Sequence, residues 1–133
     1  QISTLCYLTD NTFQRQQILR CERQMLKALD FFMGRPVMVQ FLDRFLQVHK
    51  NPPEVECLAR YICDLSITSY KLSSNSPSYK AAGALALARR LLLDEDEPTW
   101  SEDLTFYTSY NLEYLSDICI DLVYILIKAP TSK

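Results

Sequence analysis

Ser76 to Leu93 reads Ser-Pro-Ser-Tyr-Lys-Ala-Ala-Gly-Ala-Leu-Ala-Leu-Ala-Arg-Arg-Leu-Leu-Leu. Ser76 is a natural helix cap, Pro77 suits the first helical position where its missing N–H costs nothing, and the Ala/Leu run has high helix propensity. From Ala81 to Ala88 every side of that helix is apolar and most side chains are small, whereas a surface helix keeps one polar face. The stretch therefore predicts a buried central helix over Tyr79 to Leu92, with other helices packed around it. Gly83 in its middle costs about 1 kcal/mol against Ala, which predicts that another element passes close to the backbone there.

A chain of 133 residues with 48% hydrophobic content can build a core of its own. Glycine stands only at positions 34 and 83, too few for a turn-rich β protein, and Leu, Ile, Ala, Glu, Lys and Arg recur at helical spacing. The expected class is all-α. Fourteen Lys and Arg face 16 Asp and Glu, a net charge of −2 with the cations spread along the chain, so nucleic acid is not an expected partner. The longest apolar runs carry Arg89 and Arg90 or Asp121, so no membrane span is expected, and no signal peptide is visible at Gln1. Cysteines 6, 21, 57, 63 and 119 are odd in number and form no Cys-x-x-Cys pair, and most sit where a helix would turn them inward. Reduced intracellular thiols follow.

Along the chain, Gln1 to Leu8 reads as the tail of a helix that starts earlier. Thr9 to Thr12 is a turn-and-cap cluster launching a helix from about Phe13 to Phe31. At about 100° per residue, Ile18, Glu22, Met25, Leu29 and Phe32 share one narrow arc, with Leu19, Leu26 and Met33 at its edge and most of the cations outside it. Glu22 is the anomaly, a carboxylate in an apolar stripe. Gly34-Arg35-Pro36 breaks the chain, and a helix from Pro36 to about His49 turns Met38, Phe41, Leu42 and Phe45 inward. Asn51-Pro52-Pro53 precedes a helix to Tyr70 with Val55, Leu58, Ile62, Leu65 and Ser69 inward. Ala59, Tyr61, Cys63 and Ile67 leave that helix few polar faces, so cover on more than one side is expected. After the central helix, the acidic loop Asp94 to Glu97 marks a stop. Thr99-Trp100-Ser101-Glu102 reads as a capping box for a short helix ending near Thr108, and Asn111 as the cap of a last helix from Leu112 to Lys128, with Pro130 beyond it. Leu115, Ile118, Leu122 and Ile125 of that helix are expected inward. The expected architecture is five helices from Pro36 onward, arranged around a central one, preceded by one long amphipathic helix.

The inventory of chemistry is nearly empty, and no enzyme is expected. Two glycines 49 positions apart cannot form a phosphate-binding loop. His49 is the sole histidine and stands at a helix end, where it reads as a surface residue and not a catalytic base. Cys57 and Cys63 are too widely spaced for zinc, and Asp94 to Glu97 lacks the ligand alternation and turn glycine of a calcium loop. No catalytic residue, cofactor or metal is expected. What stands out is energetic. Burying Ile18, Met25, Leu26, Leu29, Phe31 and Phe32 is worth roughly 1.5–3 kcal/mol each, so a stripe left wet forgoes on the order of 10 kcal/mol. Glu22 on that stripe must then pair with an arginine of its own chain or accept hydrogen bonds from a partner.

Several short runs together resemble the second half of an A/B-type cyclin, most like the B-type mitotic cyclins. They are Tyr7-Leu8-Thr9-Asp10-Asn11-Thr12-Phe13, Leu26-Lys27-Ala28-Leu29-Asp30-Phe31, Gly34-Arg35-Pro36, Gln40-Phe41-Leu42, Leu58-Ala59-Arg60-Tyr61, Asp64-Leu65-Ser66, Pro77-Ser78, Ala81-Ala82-Gly83-Ala84, Trp100, Tyr110 and Lys128-Ala129-Pro130. The resemblance implies a cyclin-like fold, with 1–33 the C-terminal remnant of the first cyclin box and 34–130 the second box. The family's other first-box helices, its kinase-contacting lysine and its substrate-docking patch have no counterpart in the chain, and Gln14 stands where the family has a Thr or Ser cap. It also implies a regulatory, activating subunit of a cyclin-dependent protein kinase in the cell cycle, nuclear and cytoplasmic, whose first box clamps the kinase's regulatory helix. Carried over position by position, Glu22 matches a kinase-contacting glutamate, and Leu26, Phe31 and Met33 match apolar kinase contacts. The competing expectation is a cyclin-fold interaction module that binds a non-kinase partner or pairs with itself as a homodimer through helix 13–33.

Overall fold

The structure, a computed structural model, describes residues 2–94 and 96–129. Among the described residues it is all-helical: α1 (Ile2–Leu8), α2 (Arg15–Ala28), α3 (Met38–Leu46), α4 (Pro53–Ile67), a 3₁₀ turn (Tyr70–Leu72), α5 (Pro77–Leu92), α6 (Glu102–Thr108) and α7 (Ser116–Lys128). The chain divides into two compact units, Gln1–Arg35 and Pro36–Lys133.

In the second unit α5 is the axis. Ser76 Oγ accepts the N–H of Tyr79 at 3.3 Å and Pro77 opens the first turn, the start expected from the sequence. Every residue from Ala81 to Arg89 is buried, and α5 packs against α3, α4 and α7. The small side chains let those helices in close. A methyl group placed on Gly83 would stand 2.6 Å from Cγ2 of Ile118 on α7, so the glycine is the gap that α7 fills. Met38, Leu42 and Phe45 of α3, Val55, Ala59 and Ile62 of α4, and Leu115, Ile118 and Leu122 in and just before α7 close the core, and α6 contributes Leu104 while packing on α3. Ion pairs are peripheral: Arg60 with Asp43 and Lys71 with Asp121, both at 2.6 Å on exposed or half-exposed side chains.

Arg89 departs from the apolar pattern. Its side chain is buried, with Nε donating to the carbonyl of Thr99 at 3.0 Å, one terminal nitrogen to the carbonyl of Pro98 at 2.9 Å, and the other to Oδ1 of Asn51. Burial holds the guanidinium below its usual pKa, and the charge of Glu97 works against that shift. One cation thus ties α5 to the turn before α4 and to the segment before α6. The expected capping box at Thr99 does not form. Ser101 is the cap of α6, accepting the N–H of Leu104 at 3.2 Å.

Other ends differ by a few residues, each for a local reason. Pro36 does not open α3; Val37 is its cap, its N–H held by Oε1 of Gln40 at 3.2 Å. Asn111 does accept from Tyr114 N at 2.7 Å, but the residues up to Leu115 form a turn and continuous helix begins at Ser116. α4 ends at Ile67, short of Tyr70. α4 packs against α3, α5 and α7, the cover on more than one side that was expected, with Ala59 and Cys63 buried, but Tyr61 and Ile67, 48% and 74% exposed, leave it one wet face. Of the cysteines only Cys63 is buried; Cys6 and Cys119 are half-buried, and Cys21 and Cys57 are exposed, against the inward placement expected for most of them. Pro130 and Glu95 lie outside the described residues.

Two substitutions check this packing by urea denaturation. Gly83→Ala gains helix propensity but pushes against a stiff β-branched side chain, and it lowers stability by a net ~1–2 kcal/mol. Arg89→Met leaves the buried Asn51 Oδ1 and the half-buried Thr99 carbonyl without their donor, while the exposed Pro98 carbonyl can turn to water, and it lowers stability by about 2–3 kcal/mol.

Candidate functional site

The site belongs to the first unit. Its frame is α2, which opens without a Ser or Thr cap: Gln17 reaches back so that its Oε1 accepts the N–H of Gln14 at 2.8 Å, taking the part of a capping-box glutamate. The sequence RQQILRCERQMLKA then carries four cations, Arg15, Arg20, Arg23 and Lys27, and one carboxylate, Glu22. The helix is shorter than the 13–31 expected. It ends at Ala28 because Asp30 and Phe31 take left-handed backbone angles, φ 48° and 57°.

That ending is a Schellman turn, with Phe31 N–H on Leu26 O at 2.9 Å and Asp30 N–H on Lys27 O at 3.1 Å. A further bond from Phe32 N–H to Leu29 O at 2.8 Å closes a tight turn around the two left-handed residues. The helical arc cannot be continued through such a turn. Phe32, placed on the stripe by spacing, is therefore off it.

On α2 and the segments flanking it lies an open apolar groove of about 610 Å³, lined from Phe13 at one end to Met33 at the other. Ile18, Met25, Leu26 and Leu29 form its walls, and Cys21 and Glu22 stand on it. Three of the four residues singled out by the sequence, Glu22, Leu26 and Met33, meet in this groove. Phe31 is outside it, in the strained turn. Leu26 is half-buried, while Met25, Leu29, Phe31, Phe32 and Met33 are all more than half exposed. The stripe is wet, so within this unit the apolar burial it offers is left unused.

Glu22 is exposed and, among the described residues, has no hydrogen-bond or ion-pair partner. The alternative of an arginine of its own chain is not what the structure shows. Although Arg15, Arg20 and Arg23 share its helix, none of them pairs with it, which leaves a carboxylate on an apolar wall with its acceptor capacity open. The chemistry available is recognition: apolar area to be dehydrated and one anion that orients a hydrogen-bond donor.

One feature escaped the sequence. A second open cavity, of about 710 Å³, lies where the end of α4, the 3₁₀ turn and α7 meet, with Leu65, Leu72 and Ile125 inside and the Lys71–Asp121 pair at its edge. Its signal was available in Ile120 and Tyr124, which line it, fall off the inward arc of α7 and are 67% and 60% exposed. Among the described residues no group of His, Cys, Asp and Glu is placed to hold a metal ion, and no helix is long and apolar enough to cross a membrane.

Five helices in the second unit, four of them arranged about the buried α5, place it among all-α folds built on a central rod. Residues 36–133 match the family description "Cyclin, C-terminal domain", and residues 1–34 match "Cyclin, N-terminal domain". The chain belongs to the cyclin family. It is 36% identical over 133 residues to the G2/mitotic-specific cyclin-B of Spisula solidissima, covering 100% of this chain and 30% of that protein. Cyclin-A1-1 of Arabidopsis thaliana is 38% identical over 127 residues (92% and 27%), and Cyclin-A2 of Xenopus laevis is 34% identical over 123 residues (92% and 29%). The chain thus spans a little under a third of the length of these relatives.

Thiol chemistry checks the exposure of the groove. Burial, with the charge of Asp64 adding to it, pushes the Cys63 thiol up to about 12, and burial pushes Cys119 up to about 11. A raised thiol pKa means almost no thiolate at pH 8, and thiolate is the reactive form. Iodoacetamide at pH 8 is expected to label Cys21 and Cys57 in the native protein while Cys63 and Cys119 stay unlabelled, as read by peptide mass spectrometry. Protection of Cys21 would mean the groove is closed.

Proposed function

We propose that this chain is part of a regulatory, activating subunit of a cyclin-dependent protein kinase acting in the cell cycle, and that it meets the kinase through residues 13–33. The observation that carries the reading is an unpartnered carboxylate on a bare apolar groove in a chain of the cyclin family. In this reading residues 1–33 belong to the first cyclin box and 34–130 form the second, and the protein works in the nucleus and cytoplasm.

Contact with the kinase dehydrates Leu26, Met33 and the groove walls. Each apolar side chain so covered is worth roughly 1.5–3 kcal/mol. Glu22, dehydrated at the same moment, must accept hydrogen bonds, so it rewards a partner that offers donors at that point and penalises one that does not. The apolar wall supplies affinity and the carboxylate supplies register. The chain's own part is that of a scaffold; the phosphoryl chemistry belongs to the kinase.

The same exposed groove also suits a second copy of the chain, and this is the competing reading. In the full-length protein, Glu22→Ala and Phe31→Ala are each expected to weaken kinase binding and activation roughly tenfold, with circular dichroism unchanged. Unaltered activation by well-folded variants, together with a dimer in sedimentation that Leu26→Asp breaks, would favour self-association and overturn the kinase reading.

A further inference from the structure

Two helices of the first unit end in the same way, and one residue fits its place badly. After α1, Asn11 N–H bonds Cys6 O and Asp10 N–H bonds Tyr7 O, both at 2.9 Å, and Thr12 N–H closes on Thr9 O at 2.9 Å. After α2, Phe31, Asp30 and Phe32 make the equivalent three bonds to Leu26, Lys27 and Leu29. In each turn both central residues are left-handed: Asp10 and Asn11 at φ 50° and 56°, Asp30 and Phe31 at 48° and 57°. Two positive φ values inside a closed four-residue turn define the type I′ geometry, which is dominated by Gly, Asn and Asp.

Asp10, Asn11 and Asp30 are residues that tolerate this backbone, because a short polar side chain can bond locally. Phe31 is not. A bulky aromatic at positive φ is a genuine outlier, and strain of that kind persists only where something over-determines it. Within the described residues Phe31 gains little from holding the conformation, since its side chain is 67% exposed and it takes no part in the groove. Phe32 and Met33, which follow it, are each 68% exposed.

We propose that Asp30 is a positioning residue of the partner face: its tolerance of the left-handed backbone fixes the Asp30–Phe31 turn and holds Phe31 out as a preformed anchor for an apolar socket on the kinase. This rests on the reading of residues 13–33 as the kinase-binding face. Asp30 itself need not touch the partner. Its contribution is to the population of the presenting conformation, and the apparent affinity scales with that population.

The test is a series at position 30 in the full-length protein, with kinase affinity measured by calorimetry. Asp30→Asn and Asp30→Val both remove the charge, but Asn tolerates positive φ and a β-branched residue does not. Asp30→Asn and Asp30→Gly are expected to bind within about twofold of the parent, and Asp30→Val to bind about 5- to 30-fold more weakly, the loss that matches the ordinary cost of a left-handed residue. If Asp30→Val prevents folding, Asp30→Ala gives the same ordering with a smaller loss. Phe31→Ala separates the two layers. If Phe31→Ala loses binding while folded Asp30→Val protein binds within twofold of the parent, the positioning role is overturned and the kinase face stands. If folded Phe31→Ala binds as tightly as the parent, Phe31 is no anchor and the positioning role is overturned, while the kinase face fails only if folded Glu22→Ala also binds as tightly as the parent.

Discussion

The second unit depends on how thin its central helix is. Ala81, Ala82, Ala84, Ala86 and Ala88 put only methyl groups on α5 and Gly83 puts nothing, so much of its surface lets α3, α4 and α7 come close to the backbone, with Leu85 and Leu87 the larger apolar side chains of that stretch. Close approach multiplies dispersion contacts and leaves no room for water, which compensates for the modest apolar area that each alanine brings. Most of the larger core side chains come from the outer helices: Leu42, Phe45, Ile62, Ile118 and Leu122 fill the space that the alanines leave, beside Leu85 and Leu87 of α5 itself. A small-residue rod and large-residue shell are two halves of one packing solution.

An apolar rod alone would not fix which turn lies where along it, because hydrophobic burial has no direction. Arg89 supplies the direction. Its three acceptors come from the turn before α4 and the segment before α6, so the position of α5 along its axis is tied to both. A buried cation satisfied by carbonyl oxygens, with no carboxylate among those acceptors, is costly to dehydrate and stable only when every donor is used. Satisfaction is complete: among the described residues no buried side-chain nitrogen or oxygen lacks a partner.

What could be read from the sequence follows from this. The burial of α5, the reason for Gly83 and the inward faces of α3 and α7 were legible, because each is a local pattern of side-chain size. The existence of α2 and its apolar stripe were legible from spacing for the same reason. What could not be read depends on a distant contact or on one backbone angle. Arg89 looked like an interruption of the apolar run because its acceptors are 38, 9 and 10 residues away. The capping box at Thr99 is sound local chemistry, but Ser101, two residues on, is the residue whose hydroxyl takes the N–H of Leu104. The stripe was drawn through Phe32 because nothing in a helical wheel announces that Asp30 turns left-handed where a glycine would usually stand.

The two units also divide stability from recognition in a way the residues make explicit. In the second unit a core of apolar side chains is hidden and buried polar atoms are matched, although Ile120 and Tyr124 stay exposed beside the cavity on α7. In the first, Met25, Leu29, Phe31, Phe32 and Met33 remain exposed, Glu22 keeps its acceptor sites open, and one aromatic sits in a backbone conformation that disfavours it. The bare apolar area and the open acceptor sites are contributions that folding left unrealised. Apolar area is indifferent to what covers it, whereas a carboxylate on it penalises any cover that brings no hydrogen-bond donor, so on a surface of this kind the acid discriminates more than the area does.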